Sequence, residues 1–197
     1  MPSRRRFLLS GAAIVATSAP VGNAVRQAMR AQPSRLRPPG AVVEHDFLAA
    51  CIRCEQCIVA CPVGCLKPVS WSDDWFQLGA PHIVARETPC NLCAGRERME
   101  CIEVCPTAAL QPVAAREEVR MGLARIDEQT CLPFLGVTCR ACWHACPYPT
   151  DAIAFDARGR PLVLADGCVG CGLCEHACLA ERPAIRIEPF GHGTSHT

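Results

Sequence analysis

The fold is decided by the stretch Cys51-Ile52-Arg53-Cys54-Glu55-Gln56-Cys57-Ile58-Val59-Ala60-Cys61-Pro62. Its first three cysteines stand three residues apart, the fourth follows four residues later, and a proline comes directly after it. Thiols this crowded on one short loop cannot all form independent disulfides with good geometry. The spacing instead lets one loop present three sulfur atoms to a single metal centre. The stretch is therefore a candidate metal-binding unit.

Cysteine groups of this kind begin at Cys51, Cys90, Cys131 and Cys168, which are 39, 41 and 37 residues apart. A period near forty indicates an internal repeat in which each unit is one supersecondary element. Groups two and three each carry a seven-residue insert between two of their cysteines, which leaves four cysteines per group. The sixteen candidate ligands are Cys51, Cys54, Cys57, Cys61, Cys90, Cys93, Cys101, Cys105, Cys131, Cys139, Cys142, Cys146, Cys168, Cys171, Cys174 and Cys178.

Groups one and four have the spacing of bacterial ferredoxins, in which three thiolates bind one [4Fe–4S] cluster and the fourth binds its neighbour. Disulfides are one alternative, but the 17 cysteines of the chain are an odd number. Structural zinc is another, and it normally uses separated pairs of cysteines, often with histidine. The sequence therefore predicts four [4Fe–4S] clusters on sixteen cysteines. Metal cross-links also suit a chain with three Trp, one Tyr and six Phe.

Short apolar segments follow the cysteine groups and predict the secondary structure. Ala109-Leu110, Ala152-Ile153 and Ala184-Ile185 are expected to open strands, and residues 156–159 have the composition of a hairpin turn. The fourth cysteine of each group is expected at the start of a short helix, where a following proline is tolerated. The predicted fold class is α+β, with small hairpins and one-turn helices around the clusters.

Two further features stand close to group one. Cys65 aligns with Ala109 of the next repeat, so it is predicted to fill a small apolar space and not to bind metal. Trp71, Trp75 and Phe76 are predicted to cover a cluster and exclude water from it, with partner docking as the alternative.

The N-terminus has the order of features of an export signal. Ser3-Arg4-Arg5-Arg6-Phe7-Leu8 precedes a mildly apolar run that ends at Ala19 and is short for a membrane span. This order predicts a twin-arginine signal peptide over residues 1–24 and a periplasmic protein, with retention as a membrane anchor left open. Residues 25–44 are predicted to be an extended linker, and residues 191–197 a tail.

The charge argues against nucleic acid as a partner. The whole chain carries +1, and removal of Arg4, Arg5 and Arg6 with the signal leaves 17 basic against 19 acidic residues, or −2. Each cluster with four thiolates adds about −2, which brings the loaded protein to roughly −10.

The chain resembles the NapG/MauM family of ferredoxin-type proteins. The resemblance rests on the start Ser-Arg-Arg-Arg-Phe-Leu, on Arg35-Leu36-Arg37-Pro38-Pro39-Gly40-Ala41 and on the four cysteine groups in order. It implies a periplasmic carrier with four clusters that serves nitrate reduction or methylamine oxidation. The end of the chain soon after Ile187 favours the methylamine branch modestly.

The same resemblance implies how the groups share ligands. Group one would pair with group four, so that Cys178 joins Cys51, Cys54 and Cys57 while Cys61 joins Cys168, Cys171 and Cys174. Cys146 would join Cys90, Cys93 and Cys101, and Cys105 would join Cys131, Cys139 and Cys142. An outer two-cluster module (45–80 with 159–190) would then enclose an inner one (81–158). Sequential pairing, one with two and three with four, stays open.

No catalytic set or nucleotide motif stands out, so the chain is expected to be an electron-transfer protein and not an enzyme, with no small-molecule substrate. The family implies a membrane-bound iron–sulfur partner linked to the quinone pool on one side. A periplasmic redox enzyme or cytochrome would lie on the other. A role in the maturation of methylamine dehydrogenase is the alternative.

Overall fold

The computed structural model describes residues 35–190; the predicted signal peptide, the first half of the predicted linker (residues 25–34) and the predicted tail lie outside this range. Within it, the α-helices are α1 (Glu44–Ala50), α2 (Gln56–Ala60), α3 (Glu100–Glu103), α4 (Ala141–Ala145), α5 (Pro149–Ala152) and α6 (Leu173–His176). The strands are β1 (Leu66–Pro68), β2 (Pro81–Ile83), β3 (Gly122–Ile126), β4 (Ile153–Phe155), β5 (Pro161–Val163) and β6 (Ile185–Pro189). Single 3₁₀ turns lie at Arg116–Glu118 and Leu132–Leu135. No helix between residues 35 and 190 has the length and apolar character needed to cross a membrane.

The same order of strand pairings occurs twice along the chain. In the first half, β1 pairs antiparallel with β2, and an isolated bridge joins Ala41 near the start of this half to Leu110 near its end. In the second half, β4 pairs antiparallel with β5, and β3 pairs with β6. Each half therefore has a hairpin between its two cysteine groups and a strand contact that closes its ends. The mixture of small helices and hairpins confirms the predicted α+β class.

The buried side chains also follow chain order. One core takes nearly all its residues from the segment between Leu36 and Met121, and the other takes its residues from the segment between Ala124 and Ile185. The predicted boundaries, 45–80 with 159–190 around 81–158, would put the two strands of every sheet into different modules. The nested division stays a prediction, and the strand pairing argues against it.

Glycines let the loop of group four approach the start of β3 closely. Gly170 has φ +72°, and a Cβ there would lie 2.4 Å from the backbone nitrogen of Gly122. Close by, the Met121 N–H donates to the Val169 carbonyl at 3.1 Å, so the contact is a backbone one. A side chain at position 170 would have to push these segments apart. Glycine is therefore required here for packing as well as for its backbone angle.

The fourth cysteine of a group follows its helix and does not begin one, which corrects the expectation from sequence. Cys61 ends α2 with φ −67° and ψ 113°, and Cys146 ends α4 with φ −72° and ψ 132°. A proline disfavours helical angles in the residue before it, so Pro62 and Pro147 stop these helices. It is the third cysteine of each group that lies on the helix.

The end of the predicted linker is part of the folded structure. Leu36 and Arg37 are buried, and Pro38 and Pro39 are among the most deeply buried residues. The Arg37 guanidinium donates to the Glu44 carboxylate at 2.9 and 2.5 Å, to the Pro81 carbonyl at 2.9 Å and to the Gln77 side chain. The linker prediction is therefore wrong for residues 36–44. Prolines fix an extended backbone, but they do not determine whether that backbone is exposed.

Candidate metal centre

The first cavity lies between groups one and two. Three of its cysteines, Cys51, Cys54 and Cys57, come from the loop that leads into α2, and the fourth is Cys105, which follows α3. We call these four residues the first set. The cavity measures about 360 Å³, including space open to solvent. α2 and α3 pack against each other, which brings Cys105 to the loop of group one.

The other half contains two cavities of the same kind. One, of about 400 Å³, is lined by the third set: Cys131, Cys139, Cys142 and Cys178. The other, of about 350 Å³, is lined by the fourth set: Cys168, Cys171, Cys174 and Cys146. In both, three cysteines belong to one group and the last one comes from the group whose helix packs beside it, α4 against α6.

The remaining four of the sixteen candidate ligands form the second set: Cys90, Cys93, Cys101 and Cys61. Burial raises the pKa of Cys101, and the nearby Cys90, Cys93, Cys57 and Cys61 raise it further. Cys61 also raises the pKa of Cys93. The fourth cysteine of group one is thus beside the loop of group two. The arrangement mirrors that of the first set.

The expected pairing of group one with group four does not match the cysteines that lie together in the structure, and in that respect it is wrong. The structure brings Cys105, and not Cys178, to the loop of group one. It likewise brings Cys146, and not Cys61, to the loop of group four. The reason is the position of the two hairpins, because β1–β2 joins groups one and two and β4–β5 joins groups three and four. The sequential alternative describes all four sets.

The donor sets suit a cationic iron–sulfur centre. All seventeen cysteines are free thiols. Burial and then the neighbouring Cys51, Cys105 and Cys54 raise the pKa of Cys57 to about 11, and burial is also the main reason that the pKa of Cys142 is about 11. Crowded thiols of this kind lose their protons together only when a bound cation compensates the charge. Between residues 35 and 190, no three His, Cys, Asp or Glu side chains are arranged for a single metal ion.

The loops that carry the first three cysteines have an unusual backbone at matching positions. Arg53 and Glu55 of group one have φ of 56° and 61°, and Gly170 and Gly172 of group four have φ of 72° and 86°. Left-handed angles cost little for glycine and are unfavourable for other residues. The loop geometry, and not the residue type, is therefore what the two groups share. Sequence reasoning missed Arg53 and Glu55, because arginine and glutamate give no signal for such angles.

Arginine side chains fix the cysteine loops from outside the sets. Arg116 donates to the Leu92 carbonyl at 2.8 Å and also to the Arg96 carbonyl, which holds the loop and the insert of group two. Arg86 donates to the carbonyls of Glu175, His176 and Cys178 at 2.9–3.0 Å, so it joins the end of α6 to the first half. Both arginines are separated from their partners in sequence, so no local pattern could have identified them.

The aromatic residues after group one do not cover a cysteine set. Trp71 and Trp75 are 73% and 72% exposed, and Phe76 is also exposed. None of the three lines the cavity of the first set. The predicted covering role is therefore wrong. The backbone carbonyl of Phe76 accepts a hydrogen bond from Arg53 at 3.5 Å, which places this segment beside the loop of group one.

The chain matches the model of the 4Fe-4S binding domain over residues 48–64 and 165–181, which contain groups one and four. It is 40% identical to the ferredoxin-type protein NapG of Escherichia coli over 95% of this chain and 86% of the relative. It is 38% identical to the methylamine utilization ferredoxin-type protein MauM of Methylorubrum extorquens, over 95% of this chain and 90% of the relative. Neither branch is favoured by these values. The chain thus belongs to the NapG/MauM family of ferredoxin-type proteins.

Proposed function

We propose that this protein holds four [4Fe–4S] clusters in its four cysteine sets and passes single electrons between two partners. The support is the repeated three-plus-one arrangement, in which each loop gives three thiols and the neighbouring group gives the fourth. A bound [4Fe–4S] cluster supplies one-electron redox chemistry. The protein contributes the thiolates, buries six of the sixteen cysteines and sets the order in which the sets lie. Two two-cluster modules in chain order replace the nested modules in this proposal.

The order of the sets along the molecule is first, second, fourth, third. Cys57 of the first set is close enough to Cys101 of the second to raise its pKa, and Cys142 of the third set affects Cys174 of the fourth in the same way. The second and fourth sets meet where the Cys90 N–H donates to the Cys171 carbonyl at 3.1 Å. This backbone hydrogen bond between two cysteine loops is the single observation that carries the proposal of one continuous relay.

The two ends of this order are the places where electrons would enter and leave. Cys54 of the first set is exposed, whereas the three group-two cysteines of the second set are buried. At the other end, the cavity of the third set is bordered by Leu179, which is exposed. We place a membrane-bound iron–sulfur protein linked to the quinone pool at one end. A periplasmic redox enzyme or cytochrome is placed at the other.

We propose a periplasmic location from the twin-arginine pattern at residues 3–8, which lies outside the described residues. The pathway would be methylamine oxidation or, as the alternative, nitrate reduction. A role in maturing methylamine dehydrogenase is the second function. The backbone contact between the second and fourth sets favours a relay. A protein that only helped to mature a partner enzyme would not need its four cysteine sets to follow one another without a break.

A gene-deletion strain distinguishes relay from maturation. We expect the strain to contain mature methylamine dehydrogenase or nitrate reductase and to show slow substrate-dependent electron flow. Plasmid-borne Cys101→Ala should not restore the flow, because it interrupts the second set in the middle of the order. Val59→Ala should restore it, because Val59 lies on α2 between two cysteines of group one but its side chain is 84% exposed. Substrate-dependent oxygen or nitrate consumption measures the flow; an immature partner enzyme in the deletion strain would contradict the relay.

A further inference from the structure

Cys65, the seventeenth cysteine, lies against the second set. Its sulfur is 3.4 Å from the Cys61 sulfur, and Cys90 is near enough to raise the pKa of the Cys65 thiol. The side chain is 2% exposed, so no water competes for these contacts. Cys65 therefore contacts one member of the second set, Cys61, and lies near another, Cys90.

The other three repeats have an apolar residue where the first has this thiol. Cys65 directly precedes β1, and Ala152 and Ala184 directly precede β4 and β6. Ala109 precedes Leu110, which forms the bridge that closes the first half. All three alanines are buried. The space needs only a methyl group, and Cys65 adds a polar atom at that site alone among the four.

We propose that the Cys65 thiol is a hydrogen-bond donor to the ligand sulfurs of the second set and raises the reduction potential of the cluster held there. The proposal rests on the proposed function, since it requires that cluster. Cys61 and Cys90 bind iron as thiolates, so the proton between the three sulfurs belongs to Cys65. Reduction adds negative charge, part of which resides on the ligand sulfurs, so the hydrogen bond is stronger in the reduced state.

The expected shift in reduction potential is modest, because a thiol is a weak hydrogen-bond donor, although the ligand sulfur that accepts from it is charged. Loss of the donor should change the equilibrium between the reduced and oxidised states about tenfold, which for a one-electron couple is a shift of about 59 mV. The second set lies in the middle of the relay. A raised potential there would favour electron transfer from the first set to the second and make the next transfer, from the second set to the fourth, less favourable.

Cys65→Ala is the direct test, because alanine occupies the equivalent site in three repeats. In anaerobic redox titrations followed by paramagnetic resonance, we expect one of the four potentials to fall and the other three to stay. Iron per chain should be unchanged, and Cys65→Ser, which keeps a donor, should preserve the potential. Four unchanged potentials would overturn the proposal, and so would the loss of one cluster, since Cys65 would then be a ligand. A protein without clusters would instead refute the proposed function.

Ala109→Cys tests the donor role independently if the Cys65→Ala protein does not fold. Ala109 lines the cavity of the first set together with Cys105. A thiol there should raise the potential of the first-set cluster and leave the second-set potential as it is. No change in any potential would contradict the donor role, and a rise would support it.

Discussion

Cys51→Ala combined with Cys105→Ala should lose only one cluster, whereas Cys51→Ala combined with Cys178→Ala should lose two. Cys51 and Cys105 line the same cavity, so either substitution damages the same centre. Cys178 lines the cavity of the third set, so the second combination damages two centres. With about four irons per cluster, the first protein should keep about twelve irons per chain and the second about eight.

Anaerobic iron and sulfide analysis of both double variants and their three single variants makes this comparison. Substitutions in one unit are not additive, and those in separate units add. The pairing implied by the resemblance predicts the reverse, since it puts Cys51 and Cys178 on one cluster. About eight irons in Cys51→Ala/Cys105→Ala, with about twelve in Cys51→Ala/Cys178→Ala, would contradict the sequential arrangement.

Arg37→Leu should destabilise the first half strongly. The substitution leaves the Glu44 carboxylate buried without its ion-pair partner and removes donors to the Pro81 carbonyl and the Gln77 side chain. It also removes the cation 4.9 Å above the Phe47 ring. Breaking a buried pair of this kind costs about 3–5 kcal/mol of unfolding free energy, which corresponds to a fall of about 10 °C in the thermal midpoint. The loss of visible cluster absorbance on heating under anaerobic conditions measures it.

Arg98→Ala is the matched control, because Arg98 forms an ion pair of 2.9 Å with Glu103 on the surface. Exposed pairs contribute about 0–1 kcal/mol, so the midpoint should hardly change. Arg37→Leu with Glu44→Leu removes both buried charges and should recover part of the loss. Equal midpoints for Arg37→Leu and Arg98→Ala would show that the buried ion pair does not hold the segment before group one in place.

The sequence predicts the elements of this fold better than it predicts their pairing. Hydrophobic pairs such as Ala152-Ile153 open buried strands as expected, and Asp156 to Gly159 form the turn between β4 and β5. The four groups have nearly the same pattern, so the cysteines alone do not encode which group supplies a fourth thiol. That choice depends on strand contacts such as Ala41 with Leu110, which lie far apart in the chain.

Residue type also failed to predict which side chains are buried. Trp71 and Trp75 are large and apolar, yet they are exposed. Backbone hydrogen bonds, such as the one from the Gly79 N–H to the Val69 carbonyl, hold the segment 70–79, so its structure does not require the two rings to be buried. Arg37 is charged, yet it is buried, because Glu44, Gln77 and a carbonyl accept its hydrogen bonds. Both outcomes depend on tertiary partners, which a local pattern does not contain.

We propose above all that the thiolates of the four sets bind iron–sulfur cubanes. Mössbauer spectroscopy of anaerobically purified protein, with iron, sulfide and zinc counted per chain, tests it most directly. We expect about sixteen irons and about sixteen sulfides in [4Fe–4S] centres, four for each set. A folded protein that contains zinc or disulfides in place of iron and sulfide would contradict the claim.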